Sequence, residues 1–540
     1  MECQFFIHTN FALMPATFPA GSFHSMKNPE LLEEAHLCWE SWSDFRKMRA
    51  RCKRYTYGRQ WDDPVTVGGQ TMTEEEFIRR EGHIPLKNNL IRRLVRSVLG
   101  TWLDSREECL CLPSDVGGDP LEAEAINNLL QASRARNSDT ELSLRAMEEF
   151  LISGLVVRRK SFGMRSDSPD IVTECVSPDN FFIDINSCDV RGNDAELVGE
   201  IHDVPFGRLC AALAHSRSDY ARLASIYTPE KIAAGLAATV PDSFFAPSRA
   251  GLCRVVEVWR RERRPRYRCH DPRSGTVYRI EAADYAMAVE QENQRRRRRG
   301  REAGLAEKDI PLIRSRWFVD ETWRYYYLSP EGHILTQGES PFSHSRHPYV
   351  YKAYPFIDGE IHSFVADIID QQRHINRLIT IFDWVMRASA KGVLLFPEEA
   401  LPRGWTLSDI SDQWCRHNGV IMIKTKDGTP LPQQVSSNSV NIGIVELLNV
   451  QKQMLEDISG VNSALQGKLS GGNVSGALYD YQTRNSLTAL LDILESFRAF
   501  ERESTRLDIS LLRQYAPATS GTDKDTLEDS PINFADENKN

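Results

Sequence analysis

Few stretches of the 540-residue chain place reactive side chains at spacings that chemistry requires. QGKLSGG at residues 466–472 has the glycine and lysine of a phosphate-cradling loop. That loop also needs an earlier glycine and a serine or threonine after the lysine, and Asn462 and Leu469 occupy those places. GGNVSG at 471–476 sets Ser475 one position late for a nucleophile elbow, so it reads as a hinge into the last helix. The segment SPDNFFIDINSCDVRGNDAE offers Asp179, Asp184, Asp189 and Asp194 to a metal nuclease. Such a site usually adds a lysine, and none lies between Lys160 and Lys231, so these carboxylates read as turn and cap residues. His344 and His347 in HSRH lack cysteine or carboxylate neighbours at ligand spacing, and His374 falls on the polar flank of its helix. Eleven cysteines include no second pair to match Cys109 and Cys111, which points to reduced thiols. No catalytic residue, cofactor or metal site is expected, and the residues point to a structural or mechanical role.

The one marked concentration of charge is basic. Residues 254–316 hold 18 Lys or Arg against 10 Asp or Glu, with RRRRR at Arg295, Arg296, Arg297, Arg298 and Arg299 followed by Arg301. A net charge of −9 argues against a chain that grips nucleic acid over its whole surface, so any such contact is confined to this zone. The alternative reading of the run is a solvated helix end. Residues 516–540, with six carboxylates against two lysines and little apolar content, are expected to be a disordered acidic tail. The uncharged stretch at residues 5–26 is broken by Pro15 and Pro19 and lacks the basic leader of a signal peptide, which predicts a soluble protein made in the cytosol. Residues 1–26 show no period. They are expected to be disordered, or to lie upstream of a true start at Met26.

The elements that would position these residues follow from periodicity. Leu31, Leu32, Ala35, Trp39, Trp42, Phe45 and Met48 recur at helical spacing, as do Leu90, Leu94, Val95, Val98 and Leu99. A third helix is expected near residues 143–154, followed by short strands in VTECVSP, NFFIDI and AELVGEIHDV. CRVVEVWRRERR and RYRCHD read as two further strands before the turn PRSG. Residues 282–306 read as a helix with Gly300 a weak point inside it. Aromatic strands and the turn SPEG then suggest a small inserted β module. The clearest period runs from residue 360 to 390, where Ile361, Val365, Ile368, Gln372, Ile375, Ile379, Phe382 and Met386 step by four and three. At this length the helix should connect regions or line an axis. Strands and a polar loop follow, then helices in IVELLNVQKQMLEDISG and over 474–515. The fold class is α+β.

Taken in order, RYTYGRQW with NNLIRRLVRSVLG, VSPDNFFID, EVWRRERR with HDPRSGTVY, FVADIIDQQRHINRL, and DISGVNSALQG with NVSGALYDYQTRN resemble the portal proteins of short-tailed bacteriophages over residues 30–515. The resemblance implies a ring of about twelve subunits at a capsid vertex, built from wing, stem, clip and crown, through which double-stranded DNA is packaged and ejected. Carried onto this chain, it implies wing at 27–280 and 392–473, stem helices at 281–306 and 358–391, a β-rich clip at 307–357, and a long helix over 474–515 leading to a short crown. Ile361, Val365, Ile368, Ile375, Ile379, Phe382 and Met386 would then pack between subunits, and Arg295 to Arg299 with Arg301 would meet DNA or the packaging motor. A channel loop would lie at 424–441, with Lys424 and Lys426. Implied partners are further copies of the chain, major capsid and scaffolding proteins, the terminase large subunit, and tail or adaptor proteins, with no membrane. The implied place is the virion, reached through assembly in the host cytoplasm. Mostly weak contacts suit a ring that passes DNA without reading it, because strong phosphate neutralisation would brake translocation. Removing 307–357 is expected to abolish docking while sparing the ring. The alternatives are a DNA-packaging ATPase or nuclease, a ring-forming adaptor, and a nucleic-acid-binding regulator.

Overall fold

The computed structural model describes residues 27–113, 119–165, 168–189, 192–234, 243–304, 306, 309–357, 359–391, 393–397, 401, 404–415, 433–435, 442–462, 465–466, 484 and 487–515. The chain forms two compact units. The first comprises Met1–Lys47, Ser105–His362 and Asp492–Asn540, and the second Met48–Asp104 and Ser363–Leu491.

The first unit is layered around two antiparallel sheets. Helix α1 (Pro29–Ser41) starts where Asn28 accepts the Leu31 N–H and Pro29 presets the first turn. The expected single helix ends at Trp42, and α2 (Ser43–Thr56) leads into the second unit. Leu31, Leu32, Ala35 and Trp39 on α1 bury against Phe182, Val256, Val258 and Leu328 on one face of the larger sheet. That sheet contains β5 (Phe181–Ile183), β6 (Leu197–Pro205), β7 (Leu252–Asp271), β8 (Thr276–Glu281), β9 (Arg314–Leu328) and β10 (Ile334–Glu339). Their order is β10-β9-β7-β6-β5, with β8 also paired to β7. The smaller sheet has the order β11-β3-β4, from β3 (Leu155–Arg165), β4 (Ser168–Cys175) and β11 (Tyr349–Ala353).

Strand alternation sends Leu155, Val157, Tyr349 and Ala353 into a core shared with Phe181, Val198, Val255, Trp259 and Tyr325. The opposite face presents Arg158 and Lys160 to α14 (Leu491–Tyr515), where they donate to Glu501 at 2.9 Å and Asp508 at 2.8 Å. Helices α5 (Pro120–Asn137) and α6 (Asp139–Ser153) cover the same face. Leu130 of α5 packs with Leu511 and Leu512, and Phe150 of α6 with Phe497. Helices α7 (Phe206–Leu213), α8 (Arg217–Ile226) and α9 (Pro229–Ala234) have no counterpart in the sequence reading, because short helices expose too little period to be seen, and α5 has none because polar Ser133 and Asn137 interrupt its buried face.

Three expectations change here. CRVVEVWRRERR and RYRCHD are one strand, β7. Pro265 inside it falls between the last β6 pair at Arg260 and the first β8 pair at Arg266, where β7 has a neighbour on one side only and a residue without an N–H is tolerated. Residues 307–357 are not a separate β module, since β9 and β10 join the sheet of β5 to β8, and β11 pairs with β3. Their removal would strip three strands from the core, so it cannot isolate docking from folding. The helix expected at 282–306 begins later, because residues 282–284 form the turn that leaves β8. A π-helical turn, Ala286–Glu290, leads into α10 (Gln291–Glu302).

The second unit is mainly helical. A hairpin of β1 (Pro64–Val67) and β2 (Gln70–Thr73) turns through Gly68 and Gly69, both at positive φ, and runs into α3 (Glu74–Arg80). Thr73 and Glu76 close a reciprocal capping box at its start. Helix α4 (Leu90–Asp104) buries Ile91, Leu94, Val95, Val98 and Trp102. Helix α11 (Ala366–Lys391) packs against α4 and against α13 (Ile442–Ser459). Helix α12 (Leu407–Cys415) and a short pair, β14 (Val393–Leu395) with β15 (Gln433–Val435), complete the unit. At 26 residues and about 39 Å, α11 lies within one unit rather than joining regions. It also starts six residues later than the period suggests. β12 (Phe356–Ile357) and β13 (Glu360–Ile361) form a hairpin around Gly359, whose φ of 84° suits glycine, and Ile361 sits on that hairpin in the first unit. Among the described residues no helix is long and apolar enough to cross a membrane.

Candidate functional site

The basic run lies at the tip of an arm. Beyond Arg260, β7 leaves β6 behind and continues with β9, then with β8 as well, as far as Asp271. Cys269 on β7, Val289 in the π turn and Ile313 before β9 form a small core of their own, beside Tyr267 stacked on Tyr285 at 3.8 Å. Asn293 holds the Ile313 backbone through two reciprocal bonds of 2.8 and 3.0 Å. This packing sorts the arginines. Arg296 points inward, donates twice to Asp271 at 2.7 Å and once to Glu292 at 3.2 Å, and reaches the Pro311 carbonyl at 3.1 Å. Its hydrogen bonds hold the Asp271 carboxyl down at about 2. Arg295, Arg297, Arg298, Arg299 and Arg301 are exposed. Gly300 is no weak point. It is buried, and a Cβ there would come within 2.6 Å of Ile310.

On α11 the apolar seam divides. Val365 in the preceding turn, with Ile368 and Ile375, is fully buried within this chain. These three therefore offer nothing to a neighbouring subunit, which corrects the expectation of a seam open along its length. Ile379 and Phe382 are half-buried, whereas Met386 is exposed, and so are Ile381 and Trp384 on the adjoining face.

The polar position within the seam turns out to be structural. The Gln372 amide oxygen accepts from the N–H of Leu90 at 2.9 Å and of Ile91 at 3.3 Å, and its nitrogen donates to the Asn88 carbonyl at 2.7 Å. Asn376 accepts from the Asn88 N–H at 3.0 Å, and Thr380 from the Leu86 N–H at 3.2 Å. Residues 372, 376 and 380 share one face at four-residue spacing, and together they hold the segment that opens α4. Beside them Arg373 and Arg377 converge on the buried Glu74 at 3.1 and 2.8 Å. The periodicity located the helix and missed this ladder, although the spacing of the three residues was its signal. Lys424 and Lys426, the hinge at 471–476 and the tail at 516–540 lie outside the described residues.

The acidic segment behaves as its turn chemistry suggested. Asp194 accepts from Ser187 and from the Cys188 and Asp189 N–H groups at 2.6 to 2.9 Å, and Asp184 accepts from the Asn186 N–H at 3.1 Å. A second acidic group escaped notice because its members lie far apart in sequence. Glu200 and Glu257 sit opposite one another on β6 and β7, with His202 two residues along, and one ligand atom from each lies within 4.8 Å of the others. His202 Nε2 is 2.7 Å from Glu257, whose other oxygen accepts from Trp259 at 2.7 Å. Arg159 stands 3.5 Å from Glu200 and 3.4 Å from Glu257, and it also bonds Glu174. Burial pushes both carboxyls up. In Glu257 the His202 bond and charge, with Arg159 and Trp259, reverse this and hold it at about 2, while Glu200 stays raised. The guanidinium already supplies positive charge where a cation would bind, so the donor set fits an ion-pair network better than a metal centre.

Fold and site thus define a mixed α+β chain whose best-formed polar groups are caps and ion pairs holding helices and sheets in register. The chain belongs to the Phage P22-like portal protein family, the head-to-tail connectors of bacteriophage virions, with that family's model matching residues 32–519. A comparison with curated proteins found no match.

Proposed function

We propose that the chain assembles into a closed ring at one capsid vertex, through which the genome enters during packaging and leaves at ejection. The observation that supports this is the family match over residues 32–519, nearly the whole chain. In this reading the arm tip, with Arg295, Arg297, Arg298, Arg299 and Arg301 exposed, meets the terminase motor and later the tail or adaptor proteins. It would take over the docking role first drawn at 307–357. The exposed end of α11, with Ile381, Trp384 and Met386 beside Phe382, packs against the neighbouring subunit, because apolar side chains of that size gain most from a partner. Lys424 and Lys426 remain the proposed channel-loop cations. Capsid and scaffolding proteins surround the ring, about twelve subunits close it, and duplex DNA passes without base-specific contact. Negative-stain microscopy of the concentrated full-length chain tests the proposal. Closed rings with a central channel are expected, and a preparation of only monomers and dimers would overturn it.

A further inference from the structure

A cavity of about 680 Å³ lies in the first unit, where the free edge of β11 meets α14 and Trp323 of β9. Its rim is cationic. Arg261, Arg346, Lys352, Arg502 and Arg506 line it; Arg506 bonds Glu503, while Arg261 and Arg502 stand 3.9 Å from Glu196 and Glu495. No carboxylate among the described residues pairs with Arg346.

Its floor is aromatic, with the buried Arg159, Glu200 and Glu257 network beside Tyr349. Tyr349 is 97% buried on the relative scale, with 3% exposed, and its hydroxyl has no hydrogen-bond partner. The Tyr351 hydroxyl and His344 Nε2 have none either. Buried polar atoms in native proteins usually find a partner, protein or water, and three of the eleven unpartnered side-chain atoms among the described residues belong to residues that line this one cavity. Both histidines are neutral at physiological pH. Burial, then nearby charge, pulls His344 down to about 4 and His347 to about 3. Each accepts a backbone N–H at Nδ1, His344 from Arg346 at 3.1 Å and His347 from Tyr349 at 3.3 Å, which leaves the single ring proton on Nε2. His344 therefore offers an unused donor.

We propose that this cavity binds a nucleotide, its phosphates on the arginine rim and its base against the hydroxyls and the His344 N–H. The volume exceeds what a lone phosphate fills and falls within the usual range for small-molecule sites. Planar guanidinium groups match phosphate oxygens, and neutral donors and acceptors match base edges. The site needs no ring, so it stands or falls independently of the portal reading.

The experiment is calorimetric titration of the full-length chain with ADP, with inorganic pyrophosphate and with a short DNA duplex, repeated on three variants. ADP should bind, and more tightly than pyrophosphate. Arg346→Ala should weaken ADP by about tenfold or more, the scale of one charge-assisted contact. Tyr349→Phe should weaken it less while leaving the melting temperature of the free protein unchanged or higher, since it deletes only an unpartnered hydroxyl. Arg297→Ala, on the arm tip, should leave ADP binding as it was. No ADP binding at about 1 mM, the weak limit for a specific site, would overturn the proposal. So would pyrophosphate binding as tightly as ADP, affinity for the duplex alone, or full ADP affinity in Arg346→Ala.

Discussion

Helix α10 and helix α11 bear the two most conspicuous patterns in the sequence, one of charge and one of apolar period, and the structure divides each pattern into members that hold the fold and members that face outward. In α10, Arg296 closes the arm tip onto Asp271, while its neighbours point to solvent. In α11, Val365, Ile368 and Ile375 fill the chain's own core, while Met386 and its neighbours remain exposed. A run of like residues is therefore not a unit of function. At 100° per residue a helix cannot present five consecutive side chains to one surface, and a seam longer than the partner beside it must emerge from cover.

The sharpest way to break the comparison is Gln372→Leu, a change that improves the apolar seam by pattern alone. If pattern ruled, the variant would be more stable. The expectation is instead a loss of about 3 kcal/mol, because the Leu90 and Ile91 N–H groups and the Asn88 carbonyl would lose their partner. Urea denaturation of the second unit's helices reads this directly.

Next in size, Arg296→Ala should cost about 1–2 kcal/mol and loosen the arm tip, seen as faster proteolysis between β8 and β9. Acid gives the same contact another reading. Asp271 titrates lower in the folded protein than in the unfolded chain, so its contribution is complete above an unfolded carboxyl pKa of about 4 and is lost as pH falls toward 2. In Arg296→Ala the near-ultraviolet signal of Tyr267 and Tyr285 should change at higher pH than in the parent. An unmoved profile would mean that Arg296 does not set that carboxyl. Smallest in stability, Arg297→Ala should shift unfolding by less than about 0.5 kcal/mol, yet lower the slope of log affinity for DNA against log salt by about one.

Much of the architecture was legible in the residues. The buried Leu94, Val95 and Val98 of α4, the existence of α11 and α13, the α+β class and the turn role of Asp194 all rest on local spacing, whereas Ile91 and Trp102 of α4 are buried outside the expected stripe. What stayed hidden was what depends on partners distant in sequence. Nothing near Glu200 announces Glu257, and nothing near Arg158 announces Glu501 some 340 residues later. The joining of two apparent strands into β7 was obscured by Pro265, whose cost vanishes only once the gap between β6 and β8 is known. The cavity beside β11 was hidden for the same reason, since its arginines come from three separate stretches of chain.

The arm itself has a mechanical consequence. From Arg261 to Asp271, β7 projects about 35 Å past its last β6 partner, bonded throughout to the antiparallel β9 and thickened at its far end by β8 and α10. A pull along such a ribbon loads its rungs together, in shear, whereas a pull across its end opens them one at a time like a zipper. The arm is thus stiff against tension along its axis and yielding to a sideways peel. Whatever seizes its arginine-bearing tip can drag on it hard in one direction and be released with little force in another.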